Sequence, residues 1–394
     1  MNVDLTTADE NERVRLVSLH GLSLLDTRAE ERFDRITRAA RELFNVPVAA
    51  VNLLDSDRVF VKSPQGTGLR EIDRKDTFCD AAIAQPEILM VPDAMADRRF
   101  LDLPDVVGGR GVRFYAGRPL SVDAGSRVGT LCLFDTQPRE LSEVQLRQLD
   151  ELGSWAEREL QDSADRDRAR AVQQALLPSS TPGAPHYQIS GICLPKGDVG
   201  GDFYSWSESE DGVDLMLADV MGKGTAAALM AATVRSAVRS TGGNAPGAVM
   251  DGASRLLAED LENTATFATA FLARLEPASG RLEYADAGHG LSIIVALDGS
   301  YRRLPCRGLP LGLGEPGSWG TAHTVLAPGE TLASFTDGLL DLYDGTLAAL
   351  DDLAALVRDH TPAQLTALLQ DLHRETQPDD DVTAIFLTRL QVAA

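Results

Sequence analysis

Four short stretches of this 394-residue chain put aspartate at the end of an apolar, strand-like run. "DVGGDFY" carries Asp202 after a glycine pair, "DLMLADVMGKG" carries Asp219 before a glycine turn, and "LASFTDGLL" carries Asp337. In "QPDDDVTAIFL", Asp379, Asp380 and Asp381 stand in a row ahead of a β-branched run. Unpaired carboxylates this close raise one another's pKa and oppose folding unless a cation sits among them. Solvated loop acids are the alternative reading of the triple taken alone. Read together, the four stretches offer one all-oxygen site, since a strand end fixes a short Asp side chain and glycine lets backbone approach a ligand. Oxygen donors without nearby Cys or His favour Mg²⁺ or Mn²⁺ over zinc. Two ions sharing a bridging carboxylate would neutralise the crowding of the acids.

The rest of the chain must supply a scaffold for such a site. At 44% hydrophobic residues it can bury two cores of ordinary domain size. A formal charge of -22 argues against nucleic acid or an anionic membrane surface as the main partner. The acidic start "MNVDLTTADENERVRL" lacks the pattern of a secretory signal, and the run "TAAALMAATV" is too short to span a bilayer, so a cytoplasmic protein is expected. Cys79, Cys132, Cys193 and Cys306 are scattered without zinc or disulfide spacing and are expected to be reduced, buried and inert.

The first half alternates helical and strand patterns. "AEERFDRITRAARELFNV" has a helical face at Phe33, Ile36, Ala40 and Leu43, and "VPVAAVNLLD", "RVFVKS", "ILMVPDA", "YAGRPLSV" and "RVGTLCLFD" read as strands. From Leu141 to Leu177 the pattern is helical, with Leu149, Leu152, Ala156 and Leu160 near coiled-coil spacing, and Pro178 ends it. The breaker cluster "SSTPGAPH" then opens a β-rich second domain.

The pieces "QQALLP", "DVGGDFY", "ADVMGKGTAAALM", "FATAFLARLEPASGRLEYADAGHG", "GLPLGLG", "FTDGLLDLYD" and "DDDVTAIFL" occur in register. In them the second half resembles the SpoIIE-like branch of the metal-dependent Ser/Thr protein phosphatases, type 2C, the PPM superfamily. The resemblance implies an α-β-β-α sandwich and two Mn²⁺ or Mg²⁺ ions. Asp219 would bridge the ions, with the Val220 carbonyl as a further ligand; Asp337 and Asp380 would hold one ion, and Asp202 would support the other. Asp381 stays open as an alternative to Asp380. Asp219 and Asp202 are the catalytic candidates in this reading. The substrate implied is phosphoserine or phosphothreonine on a regulatory protein, of the anti-anti-sigma type in a partner-switching pathway. The reaction implied is attack by a metal-bridging water.

His289 in "DAGHG" reads as a structural turn, Lys196 and Lys223 as surface lysines or phosphate contacts, and "GTAAALMAATVRSAVRS" as a tightly packed helix behind Asp219. The "MGKGT" piece lacks the upstream glycine and the Ser or Thr of a nucleotide-binding loop.

The first half resembles GAF-type sensory domains in "LDTRAEERFDRITRAARELFNVPVAAVNLLD", "DTFCDAAI", "VPDAMADRRF", "VRFYAGRPL", "GTLCLFD" and "PRELSEVQLRQLDEL". "FCDAAI" stands where relatives often read "FCAHAI", and Cys79 followed by Asp80 lacks a bilin-attachment context, so the sensory ligand is not specified. The expected architecture is therefore a two-domain α/β chain. It has a GAF-like sensory domain at 11–155, a helical linker at 156–178 and a phosphatase domain at 179–391. Its expected partners are a phosphoprotein substrate, a small molecule in the GAF domain, and a second copy packed along the linker stripe. The alternatives are a catalytically silent phosphoprotein-binding regulator and an acidic protein holding structural calcium.

Overall fold

The computed structural model describes residues 5–122, 125–209, 212–243 and 245–391; the first four residues of the amino-terminal stretch lie outside them. The chain divides into two compact units, Met1–Arg168 and Ala169–Ala394.

In the first unit the helices are α1 (Leu5–His20), α2 (Glu31–Phe44), α3 (Phe78–Ile83), α4 (Pro104–Val107) and α5 (Glu143–Leu176), the last turns of α5 belonging to the second unit. The strands are β1 (Val48–Leu54), β2 (Arg58–Gln65), β3 (Glu71–Asp73), β4 (Leu89–Val91), β5 (Phe114–Val122) and β6 (Ser126–Asp135). They form one antiparallel sheet in the order β3-β2-β1-β6-β5-β4. Because successive strand side chains alternate between faces, Val51, Leu53, Leu131 and Leu133 meet the helical layer on one side, while Tyr115 and Cys132 meet α3 on the other. Helix α2 buries Phe33, Ile36, Ala40 and Phe44 and ends where Asn45 turns left-handed. Leu43, expected on that face, is exposed; Phe44 takes the position because the helical period reaches 44, four residues beyond Ala40.

Two sequence expectations fail here. Leu149, Ala156 and Leu160 are fully buried in the core of this same unit, with Leu152 packed against it, so the stripe expected to seat a second copy is already covered. The cysteines are all free, but only Cys79 and Cys132 are buried; Cys193 is half-buried and Cys306 exposed. Among the described residues no helix is long and apolar enough to cross a membrane.

The second unit has strands β7 (Tyr187–Leu194), β8 (Asp202–Ser209), β9 (Gly212–Val220), β10 (Ala268–Glu276), β11 (Arg281–Ala287), β12 (Ser292–Val295), β13 (Tyr301–Arg303), β14 (Ala322–Val325), β15 (Thr331–Phe335) and β16 (Val382–Arg389). Its helices are α6 (Gly224–Ser240), α7 (Pro246–Thr264), α8 (Ala349–Asp359) and α9 (Pro362–Thr376). Two antiparallel sheets form, ordered β14-β11-β10-β9-β8 and β13-β12-β15-β16-β7. Val213, Leu215, Phe271 and Tyr284 of the first meet Ile189, Ile294, Leu332 and Leu387 of the second in the inner core. The opposite face of the first sheet packs on α6 and α7 through Met216, Ala231, Val234 and Leu257, and that of the second on α8 and α9 through Phe335, Phe386, Leu353 and Leu365. The result is the expected α-β-β-α sandwich. The small-residue run of α6 buries Ala227, Ala231, Val234 and Val238, which lets the helix lie close on β8 and β9.

Candidate active site

Strand pairing sets the first two acids. β8 begins at Asp202, β9 ends at Asp219 and Val220, and the antiparallel register places Asp202 directly opposite Asp219. Val220 is buried and its N–H donates to Gly201 O at 3.3 Å, which binds the end of β9 to the glycine loop. The second sheet sets the others. Phe335 of β15 pairs with Ala384 of β16, so Asp337, just after β15, and the triple aspartate, just before β16, emerge at one end. Thr336 fastens that end: its N–H donates to Thr383 O at 2.9 Å, and its hydroxyl donates to Asp202 Oδ2 at 2.7 Å, linking the two sheets.

The three consecutive aspartates do different things. Asp379 has a side chain 96% exposed and pairs with Lys196 Nζ at 3.0 Å. Asp380 is 39% exposed; its Oδ2 lies 3.0 Å from Lys223 Nζ and its Oδ1 accepts the Asp381 N–H at 2.9 Å. Asp381 is 7% exposed and faces the other way. Its Oδ1 accepts the Lys196 N–H and its Oδ2 the Gly201 N–H, both at 2.8 Å. Lys196 and Lys223 are therefore paired with the acidic loop.

Burial raises the pKa of Asp202 well above the carboxylate range, with the charge of Asp219 adding to it. Asp219 is pushed up to about 6 by burial first, then by Asp337 and Asp380. Burial also raises Asp381, against the lowering effect of the Lys196, Gly201 and Asp202 N–H groups. These are the electrostatics of buried carboxylates gathered close together, and a divalent cation is the species that would displace their protons. The donor set is all oxygen, which fits Mg²⁺ or Mn²⁺. Among the described residues no three acidic, His or Cys side chains converge to ion-holding distance as they lie. Asp202 Oδ2 is engaged by Thr336 and both Asp381 oxygens by backbone N–H groups.

Two further residues belong to this region. Asp341 is raised by burial and by Asp337, Asp380 and Asp379; its signal was an acid four residues after Asp337 in "TDGLLDLYD". Gln173 near the end of α5 clamps the glycine loop: its Nε2 donates to Gly200 O at 2.7 Å and its Oε1 accepts the Gly200 N–H at 3.1 Å. His289 is buried, and Asp286 Oδ1 accepts its backbone N–H at 2.7 Å, as a turn residue would require. Burial pushes its pKa down to about 4.

The class of this sandwich, with acids at its strand ends, is given by comparison with known proteins. Residues 209–390 match the family described as Stage II sporulation protein E (SpoIIE), and residues 28–160 match the GAF domain family. The chain thus carries a GAF domain followed by a SpoIIE/PP2C-type phosphatase domain. It is 26% identical over 231 residues to the phosphoserine phosphatase RsbU of Bacillus subtilis, covering 56% of this chain and 69% of that protein. It is 38% identical over 130 residues to the cyclic di-GMP phosphodiesterase PA2567 of Pseudomonas aeruginosa, covering 33% of this chain and only 22% of that protein. The solved SiaA-PP2C domain of Pseudomonas aeruginosa is 29% identical, with a TM-score of 0.49 over 58% of this chain and 96% of that one.

Proposed function

We propose that the chain is a sensor-regulated, metal-dependent protein serine/threonine phosphatase. The observation that carries this reading is the gathering of Asp202, Asp219, Asp337 and Asp380 at one end of the sandwich, two from each sheet. In this reading Asp219, the Val220 carbonyl, Asp337 and Asp380 hold two Mn²⁺ or Mg²⁺ ions, and Asp202 supports the second. The bound ions would supply Lewis-acid stabilisation of phosphoryl charge and a water nucleophile at neutral pH. The chain's own residues do the rest. Thr336 fixes the rotamer of Asp202 through its hydroxyl, and Asp381 holds the glycine loop that leads into β8. Lys223 draws the Asp380 carboxylate toward the mouth of the site.

The substrate proposed is a phosphorylated regulatory protein of the anti-anti-sigma type, supported by the likeness to a phosphoserine phosphatase. The second reading is a silent phosphoprotein-binding domain. Hydrolysis of a phosphoserine peptide in a Mn²⁺ titration separates the two. Saturable, Mn²⁺-dependent phosphate release supports the enzyme, and peptide binding without release sinks it.

Regulation is proposed to pass along α5, whose Gln173 holds the loop ahead of Asp202. Inserting residues near Asp165 should change basal activity periodically, since each rotates the following helix by about 100°; a flat response would exclude this route. The dimer along the Leu149 stripe is not carried forward, because that stripe is buried in the first unit's core.

A further inference from the structure

The first unit contains a polar cluster that an inert core does not need. Cys79 lies in the first turn of α3 and Cys132 on the central strand β6, 53 positions apart in sequence, yet their sulfurs are 3.4 Å apart. Both are buried, at 2% and 0% exposure. Three polar side chains are directed at the sulfurs. Asn52 Nδ2 lies 3.3 Å from Cys79 Sγ and 3.6 Å from Cys132 Sγ. The Tyr115 hydroxyl lies 3.3 Å from Cys132 Sγ and 3.7 Å from Cys79 Sγ. Thr130 Oγ1 lies 2.9 Å from Cys132 Sγ. The sheet makes room for this. Gly117 sits opposite Cys132 in the register, and a Cβ there would lie 2.0 Å from the Tyr115 hydroxyl. Asn52 Oδ1 is buried with no hydrogen-bond partner among the described residues, leaving a spare acceptor on the same amide.

We propose that Cys79 and Cys132 form a redox-active dithiol, oxidised to an intramolecular disulfide by a small hydroperoxide. Two thiols that merely packed would do so against apolar neighbours, and burying Asn52, Thr130 and a tyrosine hydroxyl beside them would bring only desolvation cost. Donors aimed at sulfur instead stabilise a thiolate, the reactive form. The Cys132 thiol, followed by the Thr130, Asn52 and Tyr115 groups, lowers the Cys79 pKa to about 7 despite burial, while burial and Cys79 raise that of Cys132, so Cys79 ionises first. Bond formation requires the sulfurs to close from 3.4 Å to about 2.05 Å. The Cys79 thiolate attacks the terminal peroxide oxygen, the O–O bond breaks, and the leaving oxygen departs as water, or as an alcohol from an organic peroxide, after taking a proton. Cys132 sulfur then attacks the resulting sulfenic sulfur, and hydroxide leaves with the Cys132 proton as water. With hydrogen peroxide, two thiols and one peroxide become one disulfide and two waters. The assignment is independent of the phosphatase reading.

The test uses the full chain with Cys306→Ser, which removes the exposed thiol. The folded protein is treated with hydrogen peroxide, alkylated, digested without reductant and mapped by mass spectrometry; a parallel sample is oxidised in denaturant. The expected result is a Cys79–Cys132 linked peptide, lighter by two hydrogens, that dominates only in the folded sample and disappears on treatment with a dithiol reductant. Recovery of both cysteines as free thiols, Cys79 ending as sulfinic acid, or the same mixture of pairs with and without denaturant would each overturn the proposal. No outcome depends on a buried-cysteine variant folding.

Discussion

Replacing Asp380 and Asp381 one at a time should separate activity from stability, although the two residues are chemically identical neighbours. Asp381 is almost fully buried and accepts two backbone N–H groups at 2.8 Å, from Lys196 and Gly201. Asn at this position keeps one acceptor oxygen but turns an amide N–H toward the other donor, leaving one buried N–H unpaired and crowded. Losing such a bond to a charged acceptor costs about 1.5–3 kcal/mol. Part of that is offset, because burial raises the Asp381 pKa and a neutral side chain is cheaper to bury. The net expectation for Asp381→Asn is a loss of about 1–2 kcal/mol. Asp381→Ala strands both donors and should lose about twice as much. Gly200 tightens the constraint: a Cβ there would lie 2.2 Å from Asp381 Oδ2, so Gly200→Ala should destabilise like the Asp381 variants.

Asp380→Asn should leave stability unchanged or slightly raised. Its carboxylate is 39% exposed and its charge adds to the burden on Asp219 and Asp341. If Asp380 holds an ion, the same substitution should raise the Mn²⁺ concentration for half-maximal activity by about 100-fold or more, since even indirect partners of a metal are worth about 10- to 100-fold. Urea unfolding at pH 7 with a chelator, alongside initial rates against Mn²⁺ concentration, reads both effects. Equal destabilisation by the two variants would refute the division of labour. Asp381→Asn with full stability and a ligand-like activity loss would show that the register of ligands is shifted by one.

Asp219→Asn should abolish Mn²⁺-dependent phosphate release with the far-ultraviolet spectrum retained, because the residue stands opposite Asp202 at the centre of the cluster; near-wild-type turnover in saturating Mn²⁺ would sink the assignment. Gln173→Ala should cost about 1–2 kcal/mol for the two bonds to Gly200 and raise the Mn²⁺ requirement, read by the same titration; an unchanged requirement would sever α5 from the site. His289 makes stability pH-dependent. Its folded pKa is near 4 against an ordinary 6.5, so in that window the unfolded chain binds a proton that the folded chain refuses. Stability from this group is complete above pH 6.5 and falls by about 3 kcal/mol in total toward pH 4. His289→Asn should flatten that slope in unfolding measured between pH 7 and 4, and an unchanged slope would place the titration elsewhere.

Much of this architecture was legible because period-2 and period-3.6 patterns report burial directly: the β1, β6 and β16 runs fall where the pattern puts them, and the α2 face does so at Phe33, Ile36 and Ala40. Three features that escaped it share one cause. The Leu149–Leu160 stripe marks a helix with something to cover, but the pattern does not say whether the cover is a second chain or the sheet of its own domain. The sequence distance of 53 between Cys79 and Cys132 likewise hides a spatial separation of 3.4 Å, since α3 and β6 meet only through the tertiary fold. Gln173 is a polar residue near a helix end, and no one-dimensional pattern assigns its partner.

The crowding of Asp379, Asp380 and Asp381 follows from strand geometry. Near a strand end consecutive side chains diverge, so three adjacent acids need not share one environment. Asp379 points to solvent and Lys196, Asp380 to Lys223 at the mouth of the acidic cluster, and Asp381 inward to the glycine loop. The inward residue accepts two backbone donors from a separate loop, Lys196 and Gly201, which hold it without any ion. By tying Gly201 to the start of β16, Asp381 sets the position of β8, and with it Asp202, relative to the strand end that carries Asp380. A site drawing ligands from two sheets needs such a tie, because small sliding of one sheet on the other would separate them. Thr336 provides the second tie, from β15 to Asp202. Breaking both, as in Asp381→Ala with Thr336→Val, should therefore cost more Mn²⁺ affinity than the product of the single effects; simple additivity would mean the sheets are held by their shared core alone.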